Sequence, residues 1–242
     1  MIEASYNLTL VVMSYLIAVL GSYVALSASK YISKAQGAAL FWWLAAAALS
    51  LGGGAIWTMH FIGMLAYKMP LEFGFDNVLT VVSFVIAVVL VGAGLFIAGR
   101  GEANIVKLVV AGFVAALGVV IMHYMGMSAM ILAADISYDA MFVGLSVLIA
   151  VVASIVALWI AFNLRGKILQ IGSALVMGLA VCGMHYTGMA AATMTANGEV
   201  VKDVIKSHLS NEILGFVLFA VSGAVLFLIW FVTEVVPEED AD

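Results

Sequence analysis

Seven long apolar runs constrain this chain more than any other feature. They lie at about residues 8–28, 38–66, 78–98, 107–133, 140–163, 168–194 and 213–233. Each supplies the roughly 20 residues that a helix rising 1.5 Å per residue needs to cross about 30 Å of hydrocarbon. Lipid offers the backbone no hydrogen bonds, so a spanning run must be a helix or belong to a closed barrel. A barrel strand would alternate apolar and polar residues, and these runs do not. Composition agrees: 66% of the 242 residues are apolar and 10% are charged, where a soluble domain carries about a quarter charged. A soluble chain of this size could not keep so much apolar surface from water. The expected fold is an all-α membrane protein of seven transmembrane helices, three helical-hairpin repeats plus a seventh helix. A water-soluble enzyme, a DNA-binding domain and a disordered regulator are excluded, and no nucleic-acid partner is expected.

The loops give an orientation. The first run is no cleavable signal: Glu3 precedes it with no Lys or Arg, and the run is too long. Lys30, Lys34, Arg100, Lys107, Arg165 and Lys167 fall on one side, and Lys68, Lys202 and Lys206 on the other. The excess of basic loops marks the cytoplasmic side, which puts the N-terminus outside and the C-terminus inside. Trp42, Trp43, Trp159 and Trp230 fall near the cytoplasmic ends, where an aromatic belt is expected. The domain reading is one unit over 1–236 and a short acidic cytoplasmic tail over 237–242. His208 reads as a solvated residue of the last outer loop.

A repeat carries the chemistry. The second run holds Met59-His60-Phe61-Ile62-Gly63-Met64, the fourth Met122-His123-Tyr124-Met125-Gly126-Met127, and the sixth Met184-His185-Tyr186-Thr187-Gly188-Met189. The shared pattern is Met-His-aromatic-x-Gly-Met, and Ala66, Ala129 and Ala191 each follow the histidine by six positions. The period is one helical hairpin. Away from the ends of the runs the ionisable side chains are His60, His123 and His185. An ionisable group in hydrocarbon is costly enough to mark a functional site.

Each histidine has a methionine four residues on (Met64, Met127, Met189), which a helix places on the same face. Met59, Met122 and Met184 lie about 100° away. Imidazole with thioether sulfur, and no carboxylate for a hard ion, suits copper as Cu(I) or Cu(II). All six methionines are candidate ligands beside the three histidines; the alternative is that they fill gaps in helix packing. Tyr124 and Tyr186 are candidates to hold the imidazoles by hydrogen bonds. Phe61 cannot do so, and an aromatic wall is the simpler account of all three. Cys182, the lone cysteine, is a further candidate near His185, with a small buried hydrophobe as the alternative. Gly63, Gly126 and Gly188 read as helix-packing positions. Gly52-Gly53-Gly54 reads as a place of close contact or a bend. The motifs would lie in the outer half of the bilayer, where small apolar gases concentrate.

The sequence resembles the MHYT family of bacterial membrane sensors. That family is named for a repeated Met-His-Tyr-Thr motif, which Met184-His185-Tyr186-Thr187 matches literally and the other two copies in part. Phe61, Ile62 and Met125 depart from it. The resemblance implies a seven-helix sensory domain of the bacterial inner membrane, sensing oxygen, carbon monoxide or nitric oxide through copper. It also implies a cytoplasmic or partner signalling module, because family members often continue into cyclic-di-GMP enzymes. This chain stops nine residues after its last run, as a stand-alone member or the sensory part of a longer protein. Its partners are then membrane lipid, a diatomic gas and an output module, and no catalysis is expected of the chain itself. The rivals are a protein that transports or handles copper and one that binds haem through His or His/Met ligation.

Overall fold

The computed structural model describes residues 5–102, 104–164, 166–198 and 210–235. Arg165, Lys202, Lys206, His208 and the acidic tail 237–242 lie outside the described residues. Seven described helices are long and apolar enough to cross a membrane: α1 (Leu8–Ile32), α2 (Gly37–Leu65), α3 (Asn77–Gly99), α4 (Ile105–Ser128), α5 (Ala140–Asn163), α6 (Lys167–Ala191) and α7 (Asn211–Val235). The fold is a seven-helix membrane bundle.

Six short strands accompany them: β1 (Ser5–Tyr6), β2 (Tyr67–Lys68), β3 (Phe73–Phe75), β4 (Met130–Leu132), β5 (Ala134–Tyr138) and β6 (Ala192–Ala196). They pair antiparallel as β1·β2, β3·β4 and β5·β6. Each repeat is therefore strand–helix–helix–strand, with the strands closing the open end of a helical hairpin. This corrects the expected extents of the fourth and sixth helices. The runs to 133 and 194 are helical only to Ser128 and Ala191, and the rest is strand. A few apolar residues such as Met130-Ile131-Leu132 satisfy either structure, and periodicity alone does not tell them apart. The histidines consequently sit only five or six residues from their helix ends, shallower than the apolar runs imply.

The clasp repeats in atomic detail. Asn7, Asp76 and Asp139 cap α1, α3 and α5, their side-chain oxygens accepting from Thr9 N, Leu79 N, and Met141 N with Phe142 N. A cap of this kind satisfies amides that the first helical turn leaves unpaired. The backbone N–H groups of the same three residues donate to the carbonyls of Ala66, Ala129 and Ala191 at 2.8, 2.8 and 2.9 Å. The alanine after each motif is thus the point where one helix of a hairpin is tied to the start of the other.

In α2 the stretch Leu49–Thr58 is wound as a π-helix. It contains the triple glycine, and each glycine meets a neighbour that a side chain would obstruct. A Cβ on Gly52 would stand 2.8 Å from Ala87 O of α3, on Gly53 2.9 Å from the Phe84 ring, and on Gly54 2.9 Å from Leu226 of α7. At the other end of the bundle Lys30, Lys34, Arg100, Lys107 and Lys167 cluster in the connections. The Arg100 guanidinium donates to the carbonyls of Ile32 and Ala35, tying the α1–α2 connection to the end of α3. Trp42 is exposed toward lipid, whereas Trp43 is buried, its ring stacked on Tyr31 at 4.2 Å.

Candidate metal centre

The three hairpins bring α2, α4 and α6 to a common axis, and the motif occupies one layer on it. His60, His123 and His185 are fully buried. Their Nδ1 atoms form a triangle with edges of 3.1 Å (60–123), 3.1 Å (60–185) and 3.3 Å (123–185). The rings stand nearly perpendicular, at 82°, 88° and 86°, like blades of a propeller. Among the described residues these three histidines form a group able to hold a metal ion, and no carboxylate or thiol joins them.

The motif glycines make this packing possible. Each imidazole points its Nε2 at the glycine of the next helix: His60 at Gly126, His123 at Gly188 and His185 at Gly63. A Cβ at any of the three would collide with that nitrogen. The helices do approach closely here, but the group that needs the space is a neighbouring imidazole. The arrangement is cyclic, each motif giving its histidine to the centre and its glycine to the histidine of another helix.

The donor set can be tested against a metal. Imidazole nitrogens held about 2.0–2.1 Å from one ion stand roughly 3.3 Å apart at tetrahedral angles and roughly 3.5 Å apart in a trigonal plane. The observed edges of 3.1, 3.1 and 3.3 Å lie at or slightly below the tetrahedral value. Three neutral imidazoles alone are in conflict. Each carries one N–H, so each Nδ1 either donates or accepts: mixed tautomers hydrogen-bond at most two edges of the triangle, and the third always sets two lone pairs or two hydrogens against each other. A cation that accepts three lone pairs removes the conflict. The three Nε2 atoms are buried without a hydrogen-bond partner, unlike the usual metal-bound histidine, whose second nitrogen donates to a carboxylate or carbonyl.

The methionines divide. Met64, Met127 and Met189 are buried together with Met130 and Met194 in a five-methionine cluster, one helical turn beyond the histidines toward the strand end. Met59 packs instead among Leu10, Met13 and Leu226, and Met122 and Met184 belong to the large apolar core. Cys182 is buried in the cluster that holds Met59 and does not join the histidines.

The aromatic residues touch the imidazoles by ring edges. His60–Phe61, His123–Tyr124 and His185–Tyr186 have centroids 4.9, 4.7 and 4.8 Å apart in edge-on geometry. The tyrosine hydroxyls bond elsewhere, Tyr124 to Ser146 Oγ at 2.7 Å and Tyr186 to Ser14 Oγ at 2.9 Å. In the remaining repeat Phe61 has no hydroxyl, and Trp57 Nε1 donates to Ser83 Oγ at 3.1 Å. Sequence reasoning missed these serines. Each follows its cap by seven residues (Asn7/Ser14, Asp76/Ser83, Asp139/Ser146), two helical turns along one face, and that spacing was a readable signal.

Comparison with known proteins settles the family. Residues 53–111, 117–174 and 178–237 match MHYT, described as a bacterial signalling protein N-terminal repeat. The chain belongs to this family. It is 43% identical over 197 residues to the Pseudomonas aeruginosa bifunctional diguanylate cyclase/cyclic di-GMP phosphodiesterase MucR, covering 79% of this chain and 29% of that protein. It is 36% identical over 201 residues to the Bacillus subtilis signaling protein YkoW, covering 79% and 25%. It is 31% identical over 200 residues to the Pseudomonas aeruginosa cyclic di-GMP phosphodiesterase NbdA, covering 80% and 25%. The chain spans about a quarter of the length of these relatives. No solved structure matches it. It is a multi-pass membrane member of an MHYT signalling family, and its buried histidine triad has the donor chemistry of a metal site.

Proposed function

We propose that this MHYT chain is a copper-binding sensor unit of the bacterial inner membrane, with its strand end outside and its basic end in the cytoplasm. The observation that carries the reading is the Nδ1 triangle of His60, His123 and His185. Met64, Met127 and Met189, stacked one turn beyond it, offer the soft sulfur that favours copper over other imidazole-binding metals. Met59, Met122 and Met184 turn to other apolar clusters, and their part is to pack the layer beneath. Copper, when bound, supplies reversible one-electron chemistry and affinity for oxygen, carbon monoxide or nitric oxide. The rest of the work falls to the chain. The glycine notches fix the imidazole edges, the aromatic edges wall the layer, and burial excludes water.

Two further features suit a gas or redox signal. An apolar cavity of about 40 Å³, lined by Leu51, Ile56, Val91, Ala115, Val119 and Met184 among others, lies deeper in the bundle, with Ile56 and Val119 one helical turn before His60 and His123. Dry apolar cavities take up small apolar molecules. The histidine helix α2 also holds α7, since Thr58 bonds Ser222 at 3.0 Å and Gly54 receives Leu226. Movement of His60 by a signal at the metal would bias α7, the helix that leads toward any following output module. The crowding of the rings, with centroids 5.0–5.2 Å apart, leaves no room for a haem between them.

The test is metal content and absorption spectrum of detergent-purified protein, wild type beside a His60→Ala/His123→Ala/His185→Ala variant. Near-stoichiometric copper that vanishes in the variant supports the reading. Absence of copper in the wild type after anaerobic Cu(I) loading, or a Soret band, overturns it.

A further inference from the structure

The basic end of the bundle holds a second site, independent of the histidines. A polar crevice of about 440 Å³ opens there, lined by Lys30, Tyr31, Lys34, Lys167, Gln170 and Glu234 among others. Three of these side chains are lysines and one is a carboxylate, so the described lining carries a net charge of +2. Its volume is in the range of small-molecule sites. It lies where the last turns of α1 and α7 meet the first turn of α6, at one end of the membrane-spanning helices.

An apolar groove of about 400 Å³ adjoins it between α2 and α7, lined by Trp42, Trp43, Ala46, Leu228, Ile229 and Val232. Tyr31 links the two spaces. It lines the crevice, its ring stacks on Trp43 of the groove, and its hydroxyl donates to Thr233 O of α7 at 3.1 Å. A polar cationic recess at the membrane surface beside an apolar slot in the bilayer has the two-part chemistry of an anionic phospholipid.

We propose that this end of the bundle binds one anionic phospholipid, its phosphate among Lys30, Lys34 and Lys167 and an acyl chain along Trp42, Ala46 and Val232. Basic pockets between membrane helices hold such headgroups elsewhere. The site has a consequence for α7. Lys167 Nζ stands 3.9 Å from Glu234 Oε2, an ion pair joining α6 to the last turn of α7. A phosphate in the crevice competes with Glu234 for that lysine, so lipid occupancy changes how the end of α7 is held.

The full chain, reconstituted in phosphatidylcholine vesicles with a minor fraction of phosphatidylglycerol, tests this. Brominated acyl chains are placed on one lipid or the other, and tryptophan quenching reads which lipid sits at the groove. Each net lining charge is worth roughly a fivefold preference, so two predict about a 25-fold enrichment of phosphatidylglycerol. Lys30→Gln/Lys34→Gln/Lys167→Gln leaves Glu234 as the one charge of the described lining and should turn the enrichment into an exclusion, to about one-fifth, whereas Glu234→Gln should raise it about fivefold. Ala46→Phe, which narrows the groove, should reduce the quenching by brominated phosphatidylglycerol. Equal enrichment in the triple-lysine variant overturns the proposal. So does no enrichment in the wild type, as expected if the chain's own acidic residues 238–242 fill the crevice. Abolition of the preference by inorganic phosphate, at an ionic strength where chloride leaves it intact, assigns the crevice to free phosphate and overturns the lipid.

Discussion

Gly126→Ala is the most informative single change, because it alters the histidine centre without touching a donor atom. The added Cβ would overlap His60 Nε2. To regain the 3.4 Å of ordinary contact, the imidazole must retreat by about 1 Å, with α4 and α2 both fixed by packing. One corner of a triangle with 3.1–3.3 Å edges is then displaced by about a third of an edge. Disturbing the groups that orient a metal ligand costs 10–100-fold in affinity, and direct displacement of one of three ligands belongs at the upper end, roughly 100-fold. Overpacking costs about 1–3 kcal/mol of stability, partly offset by about 1 kcal/mol of helix propensity gained in replacing Gly by Ala. The protein should therefore fold, with a net loss of about 0–2 kcal/mol, and fail chiefly in binding. Copper affinity measured against a competing chelator, beside denaturant midpoints, separates the two. Gly183→Ala on α6 is the control, since nothing lies within 4 Å of its added Cβ; it should leave copper affinity unchanged and raise stability by about 1 kcal/mol of helix propensity. Wild-type copper affinity in Gly126→Ala would refute the claim that glycine positions the imidazole. Gly63→Ala and Gly188→Ala should repeat the effect through His185 and His123.

The remaining predictions concern the support of the site and its output. Tyr124→Phe and Ser146→Ala should each cost about 0.5–1.5 kcal/mol. The double variant should cost clearly less than their sum, because both remove one hydrogen bond; strict additivity in denaturant unfolding would show that the bond contributes nothing. Asp139→Ala should cost about 0.5–2 kcal/mol by uncapping α5, seen as faster hydrogen exchange in its first turn, and unchanged exchange there would count against the clasp. Gly54→Leu should push Leu226 away and unseat α7 while copper content stays at the wild-type level; crosslinking yields between cysteines introduced at 54-facing positions of α7 and on α2 would report it.

The histidine layer was legible because three copies at helical-hairpin spacing leave few other readings, and because imidazole is expensive in hydrocarbon. Its coupling to Gly63, Gly126 and Gly188 was not. Glycine beside histidine in one helix says that something comes close, and only the bundle shows that the visitor is the histidine of another repeat. The Asn7/Ser14, Asp76/Ser83 and Asp139/Ser146 pairs lie in plain view at equal spacing. One copy alone does not show that the serine's partner is an aromatic side chain of a neighbouring hairpin. The strand β4 was hidden because Met130-Ile131-Leu132 extends an apolar run without a break, and β6 because Ala192-Thr193-Met194 continues the sixth run with a single threonine. The π-helical stretch of α2 had a signal in Gly52-Gly53-Gly54, which announces a loosened helix and leaves its winding open.

The three repeats are nearly equivalent at the histidines and unequal around them, and that inequality gives the bundle a direction. Tyr124 and Tyr186 bond to serines of the next hairpin, whereas the third position is Phe61, and Trp57 takes over the bond to Ser83. The helix that departs from the pattern is α2, the one with the wide-turn segment Leu49–Thr58. It is also the helix that bonds α7 through Thr58 and receives Leu226 over Gly54. Three equal ligand arms would spread any change at the centre evenly. Here one arm rests on a segment whose wide winding departs from the regular helix, and the seventh helix leans on that same segment. Under the proposed sensor reading, a centre built from three equivalent motifs would send its signal along a single helix, and the asymmetric repeat would be the one to carry it.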